Sequence, residues 1–264
     1  MHPRDKVVRG IRLRLALLAA GAVFAFTQIG TDAQSAEPCG TSWILIGEDD
    51  DYYYCVKELE SHQIQAVQKY YTRLKREGVP GLLGDEWRFR KKVIDHIGCM
   101  ARHRWAYVYG GRITWPEECV GLRGGGVDCS GAVAQGFRFS ACFFAGYARV
   151  AFKKHIAMET SAAGQAKLFR KNAAFIPASG NPLPGDAIFF HGTWDRNKDG
   201  RKDSRDGITH VGIFLGRGED GRVLIVHASS AAGRVIVTRA TGFLRQRIAG
   251  YGDLSKLYMR LRQP

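Results

Sequence analysis

Acidic residues are scarce in this chain: 25 Asp and Glu stand against 39 Lys and Arg, for a formal charge of +14 at pH 7. No internal repeat or low-complexity tract is present, which excludes solenoid and fibrous architectures. There is no zinc-finger spacing, leucine zipper or RNA-recognition signature, and the basic residues are dispersed, so no nucleic-acid partner is expected. The positive excess points instead to an anionic polymer or surface, and charge alone does not choose among them. The apolar run from Leu15 to Phe26 is about a dozen residues, short of the roughly 20 that a membrane-spanning helix needs. Cys39 follows Ala36-Glu37-Pro38, which is no lipobox, so no lipid anchor is expected.

What is present begins with an export signature. Arg4, Lys6, Arg9, Arg12 and Arg14 precede the apolar run, and small and polar residues follow it. This is the layout of a signal peptide over residues 1–36, cut between Ala33 and Ala36, and it implies a periplasmic or extracellular protein with no stable membrane insertion after cleavage. Disulfides persist in such a compartment. Of the six cysteines, Cys39 and Cys55 flank two short strand-like runs and are expected to close that hairpin. Cys99, Cys119 and Cys142 leave room for one further pair, with the choice open or all three reduced.

The remaining 228 or so residues suffice for one good-sized core and an accessory segment. An accessory region over 37–95 holds the hairpin and an amphipathic helix from Glu58 to Arg76, with a second helix from about Asp85 to Ala101 leading into residues 96–264. A helical pattern from Cys129 to about Lys154 follows. The period then changes to that of strands at Ala187 to Phe190, His210 to Leu215, Val223 to Ala228 and Val235 to Thr238. Helices followed by an antiparallel sheet predict an α+β fold. His62, His96 and His103 lack metal-ligand spacing and read as core or surface histidines.

One stretch carries chemistry: Gly124-Gly125-Gly126-Val127-Asp128-Cys129-Ser130-Gly131. Cys129 would open a helix, where unpaired N–H groups and the dipole favour a thiolate nucleophile. The same residue taken alone also reads as a buried structural cysteine behind a glycine turn. A thiol nucleophile needs an imidazole and a third polar group that orients it. His210, which opens one apolar strand, and His227, which closes another, are the candidates.

These segments, together with Tyr107-Val108-Tyr109-Gly110-Gly111 and Leu183-Pro184-Gly185-Asp186, occur in an order that resembles the NlpC-like family of papain-related bacterial cell-wall cysteine peptidases. The resemblance covers about 96 to 264 and implies a papain-like domain with the nucleophile at a helix N-terminus. It implies Cys129 as nucleophile, His210 as general base and acid, and His227 as the residue that orients His210. Tyr107 would lie near the oxyanion or the substrate amine, with Asp128 and Ser130 helping to bind the substrate. The implied partner is anionic peptidoglycan, cut at an amide of its stem peptide, often between γ-linked D-glutamate and diaminopimelate or lysine. An amidase or antibacterial toxin with the same triad, or a catalytically silent wall-binding protein, are the alternatives.

Two insertions depart from the family pattern. Residues 112–126, with Trp115 and Cys119, are expected to narrow or cover the cleft. Residues 195–206 carry oxygen ligands at loop positions 1, 3, 5, 9 and 12 and glycine at position 6, the spacing of an EF-hand or dockerin-like calcium loop. Asp195, Asn197, Asp199 and Asp206 would give side-chain oxygens, Arg201 its carbonyl, and Asp203 a direct or water-mediated contact. The other reading is a solvated charged turn, since five basic residues lie among the acids.

Overall fold

The computed structural model describes residues 43–48, 53–57, 69, 72–79, 82, 84–111, 126–143, 161–218 and 220–262, with the backbone alone for 43–48, 53–57, 139, 141–143 and 262. The expected signal peptide, Cys39 and its proposed bridge, Cys119 and residues 112–125 of the first insertion lie outside them. So does the greater part of the Glu58–Arg76 helix, of which 72–76 are helical.

The predicted hairpin is present as β1 (Trp43–Glu48) paired antiparallel with β2 (Tyr53–Lys57). Helix α1 (Gly84–Arg102) carries Asp85 and Glu86 in its first turn and Arg102 in its last, charges that suit its dipole. Two short strands follow, β3 (Ala106–Tyr107) and β4 (Gly126–Val127), which pair in parallel. Helix α2 (Cys129–Phe143) starts at the candidate nucleophile. Helix α3 (Ala162–Lys171) begins where the Ser161 hydroxyl accepts from the Gly164 N–H at 3.1 Å.

The rest is mostly sheet: β5 (Phe175–Pro177), β6 (Ala187–His191), β7 (Ile208–Arg217), β8 (Val223–Ser229), β9 (Arg234–Arg239) and β10 (Ile248–Gly252). The short helices α4 (Gly242–Arg245) and α5 (Leu254–Arg262) flank β10. The eight strands run in the order β4-β3-β9-β8-β7-β6-β10-β5, antiparallel except for β3 with β4. The fold is therefore α+β, with helices first and a largely antiparallel sheet after them.

Strands β6 to β8 read as near-continuous apolar runs because both of their faces are buried. Phe189, Val211, Ile213 and Val226 join α1, α2 and α3 in the larger core, through Phe89, Val93, Ile97, Val133, Phe137 and Phe169. Ile188, Phe190, Phe214 and Ile225 alternate to the other face, where Leu244 and Ile248 cover them. Helices α1 and α2 approach closely at Gly136, where a Cβ would sit 2.7 Å from Ile97 Cδ1.

Arg90, on the buried face of α1, fastens this assembly. Its guanidinium donates to Asp186 just before β6, and at 2.7 Å to Asp253 just before α5. Arg90 and Asp186 are both about 1 % exposed. Burial pushes the Asp186 carboxyl up to about 7, against the pull of Arg90, while the two carboxylates hold the guanidinium firmly protonated.

Candidate active site

Two strands and a helix end deliver the nucleophile. Pairing of β3 with β4 sets Ala106 beside Gly126 and Tyr107 beside Val127, so the Tyr107 segment and the chain entering Cys129 run together. Asp128 caps the helix. Its Oδ1 accepts from the Ser130 hydroxyl at 2.8 Å and the Gly131 N–H at 2.6 Å, and its Oδ2 accepts from the Gly110 N–H at 3.1 Å. The cap thus ties the Gly110 turn to the first turn of α2. Gly131 is required there, since a Cβ would stand 2.4 Å from the Gly111 carbonyl oxygen. Gln165 of α3 secures the same turn by donating to the Ser130 carbonyl at 2.8 Å.

Asp128 and Ser130 are therefore engaged with the protein itself. Ser130 is buried, and the Asp128 carboxylate is occupied by the contacts just given. Tyr107 is partly buried close to the thiol: burial raises its phenol first, and the charges of Cys129 and Asp128 add to that.

Cys129 is a free thiol, whereas Cys99 is disulfide-bonded to a cysteine outside the described side chains. Cys129 packs against the core cluster that includes Val211, one residue beyond His210 on β7, and the backbone N–H groups of Val211, Ser130 and Cys129 favour its thiolate. The helix N-terminus was expected to favour a thiolate, but burial is the larger effect. It pushes the thiol up to about 12, with Asp128 adding to the rise and the three amides opposing it.

The two histidines meet directly. His210 Nε2 and His227 Nδ1 are 2.8 Å apart, with the rings nearly perpendicular at 84° and their centroids separated by 4.9 Å. The His210 ring also lies 5.7 Å from that of Phe190, the residue opposite it on β6. Burial, and then His227, hold His210 well below the usual histidine range. Burial alone brings His227 to about 4. Both rings are thus neutral at pH 7. If His210 carries its proton on Nε2, it donates to His227 Nδ1 and leaves its own Nδ1 free to accept a proton.

The second insertion leaves the sheet at a register irregularity between Phe190 and His191. Its neck is closed by the Gly192 N–H donating to the Gly207 carbonyl at 3.2 Å, and by Thr193, whose N–H and hydroxyl lie 2.8 and 2.9 Å from the Thr209 hydroxyl. Asp206 stitches the interior, accepting from the N–H groups of Arg196, Asn197 and Asp203. Asp195 accepts from Asp199 and Gly200, and Asp199 from Arg201. Among the described residues no group of three or more His, Cys, Asp or Glu side chains is gathered around one point. Instead the Arg205 guanidinium bridges Asp199 at 3.3 Å and Asp203 at 2.7 Å. The donors are all oxygen, as a hard cation requires, and Arg205 is the cation that two of them already share.

Sequence reading missed the Arg90, Asp186 and Asp253 link and the role of Gln165. Arg90 was detectable, because it falls on the apolar stripe of α1 and a buried guanidinium demands carboxylates. Nothing local in the sequence marks Gln165.

No family model matches the chain, and no curated protein matches it. Among solved structures it is similar to the P60 domain of an antigen from M. avium subspecies paratuberculosis, with 21 % identity and a TM-score of 0.38 over 63 % of this chain and 93 % of that one. It is also similar to an N-acetylmuramoyl-L-alanine amidase from Bacteroides uniformis, with 13 % identity and a TM-score of 0.38 over 62 % of this chain and 97 % of that one. The functional reading rests on the chain's own residues.

Proposed function

We propose that this chain is an exported cysteine peptidase that hydrolyses an amide bond in peptidoglycan stem peptides, with Cys129 as nucleophile, His210 as base and His227 as its orienting partner. The observation that carries the reading is the 2.8 Å contact between His210 Nε2 and His227 Nδ1, beside a free thiol that heads α2. A structural cysteine would not require the partly buried histidine pair, one member of which adjoins Val211 in the core cluster against which Cys129 packs.

In this mechanism the resting site is uncharged. The Cys129 proton moves to His210 Nδ1 as the sulfur attacks the amide carbonyl, so the thiolate forms only as its bond to carbon forms. His227 stabilises the resulting imidazolium by accepting from Nε2–H. The backbone N–H of Cys129, at the open end of α2, donates to the oxyanion. Collapse breaks the C–N bond, and the amine leaves with the proton from His210. Water then gives its proton to His210 and attacks the thioester, which releases the acid and restores the thiol. Asp128 and Ser130 hold the helix start in register, with Tyr107 placed to meet the substrate.

The 195–206 loop joins the proposal as a calcium site. Asp195, Asn197, Asp199, Asp203 and Asp206, with the Arg201 carbonyl, would hold the ion, and Arg205 would swing out. Bound calcium would stiffen the segment that leads into His210 and take no part in the chemistry.

The test is turnover of purified stem peptides by the wild type and Cys129→Ala, read by mass spectrometry to identify the cut bond. Cleavage by the wild type alone is expected. Equal cleavage, or none by either folded protein, rejects a thiol peptidase and leaves a wall-binding protein.

A further inference from the structure

Gln165 is a primary amide in a place that suits an apolar side chain. It lies on the inner face of α3 with Ala162, Ala166 and Phe169, and it is 0 % exposed. A buried amide costs free energy unless it is hydrogen-bonded, and a methionine would fill similar space without that cost. Nor does the carbonyl it serves depend on it, because in a regular helix the Ser130 C=O already accepts from the N–H four residues on, that of Ala134. What the bond adds is orientation.

Gln165 grips one end of a peptide whose other end is also held. Its Nε2 donates to the Ser130 carbonyl at 2.8 Å, and the N–H of the same Ser130–Gly131 unit donates to Asp128 Oδ1 at 2.6 Å. A peptide is planar, so holding both ends fixes its plane. On the other side of Cys129, the Asp128 N–H donates to the Gly111 carbonyl at 3.3 Å, and the Asp128 carboxylate is tied to Gly110. Cys129 thus stands between two anchored stretches of backbone, which restricts the direction of its Cα–Cβ bond.

The anchor after Cys129 comes from a telling element. Helix α3 packs chiefly on β7, the strand that bears His210, and lightly on α2. Its Ser161 cap and its buried Phe169 hold it there. We propose that Gln165 is a positioning residue that keeps the Cys129 end of α2 in register with β7, so that thiol, Cys129 N–H and His210 converge on one carbonyl. It acts through the Ser130–Gly131 peptide and takes no part in proton transfer. This rests on the peptidase reading above and deepens it.

The experiment compares wild type, Gln165→Met and Gln165→Glu in the full chain. Met fills the space without a donor, whereas Glu keeps the shape and can donate its O–H while protonated, as burial favours. In cleavage of stem peptides, Gln165→Met should lower kcat about tenfold to a hundredfold with KM unchanged. At pH 5.5 Gln165→Glu should exceed Gln165→Met about fivefold in kcat, the worth of one hydrogen bond. A purely structural role would lower stability in urea and leave kcat intact, and that result overturns the proposal. So does a Gln165→Glu no more active than Gln165→Met. Should Gln165→Met fail to fold, the kcat of Gln165→Glu relative to wild type should fall between about pH 5.5 and pH 9 as the acid ionises, and a flat ratio overturns the proposal. Alkylation of Cys129 by iodoacetamide, located by mass spectrometry in the folded proteins, needs no substrate and separates the two readings. Alkylation about tenfold slower in Gln165→Met is expected; with no cleavage by wild type, it would sink the peptidase and keep Gln165 as the residue that sets the thiol. Equal or faster alkylation overturns the positioning role, and cleavage by wild type would still keep the peptidase.

Discussion

The contact between His210 and His227 makes a prediction about acid stability that needs no substrate. His227 is 6 % exposed and titrates at about 4 in the folded chain, against an ordinary 6.5. A histidine whose folded value is depressed contributes stability above the unfolded value, and that stability is lost as pH falls from 6.5 toward 4. That depression corresponds to about 3 kcal/mol in full, of which about 2 kcal/mol is lost between pH 7 and pH 4.5. His227→Gln removes this titration and keeps an oxygen that can accept from His210. Urea unfolding, followed by tryptophan fluorescence at both pH values, should therefore show the wild type losing at least about 2 kcal/mol more than the variant. His96, also brought to about 4 by burial, acts equally in both proteins and cancels, whereas His210, held down by burial and by His227, is partly relieved in the variant and adds to the difference in the same direction. Parallel losses, within about 0.5 kcal/mol, would refute a buried neutral His227. The same value bears on activity, because protonated His227 cannot accept from His210. Wild-type kcat/KM should hold from pH 8 down to about pH 5 and collapse as pH nears 4.

Arg90→Met should destabilise the protein by about 3–5 kcal/mol, since it orphans a carboxylate buried in the core. Without the guanidinium the Asp186 carboxyl rises further, so the loss should be larger at pH 8 than at pH 5. Asp186→Asn in the same chain should recover part of it, and additive effects of the two substitutions in urea unfolding would refute the pairing. For the loop, calcium at about 1 mM, a concentration suited to weak extracellular sites, should raise the wild-type melting temperature by about 3–5 °C. Chelator should reverse the rise and Asp195→Ala should abolish it; melting curves that coincide with and without calcium would remove the ion from this protein.

The parts of the fold that were legible are those in which one rule governs many consecutive residues. Strands β6 to β8 could be read because burial on both faces demands an unbroken apolar run, and α1 because its stripe repeats over several turns. Strand β10, Ile-Ala-Gly-Tyr-Gly, was not legible: two glycines in five residues resemble a turn, and only its place between β6 and β5 makes it a strand. The short strands β3 and β4 pair in parallel across residues that share no local pattern. In the candidate site, Cys129, His210 and His227 were proposed from residue type and order, and the structure brings His210 and His227 together across 17 residues of chain.

The charge state of the thiol was not legible, and the reason is physical. A helix N-terminus is a local feature that the sequence displays, whereas desolvation is summed over every element that closes around the sulfur, here α2, β7 and the Tyr107 segment. The local effect favours thiolate and the summed effect opposes it, and the sum is larger. Under the proposed mechanism, a nucleophile kept neutral by its surroundings would lose its proton to His210 during attack, and that would place the rate under the control of His210 and of the 2.8 Å contact with His227. On this account the chemistry depends less on the cysteine's position at the head of a helix than on two strands, β7 and β8, holding their histidines in register.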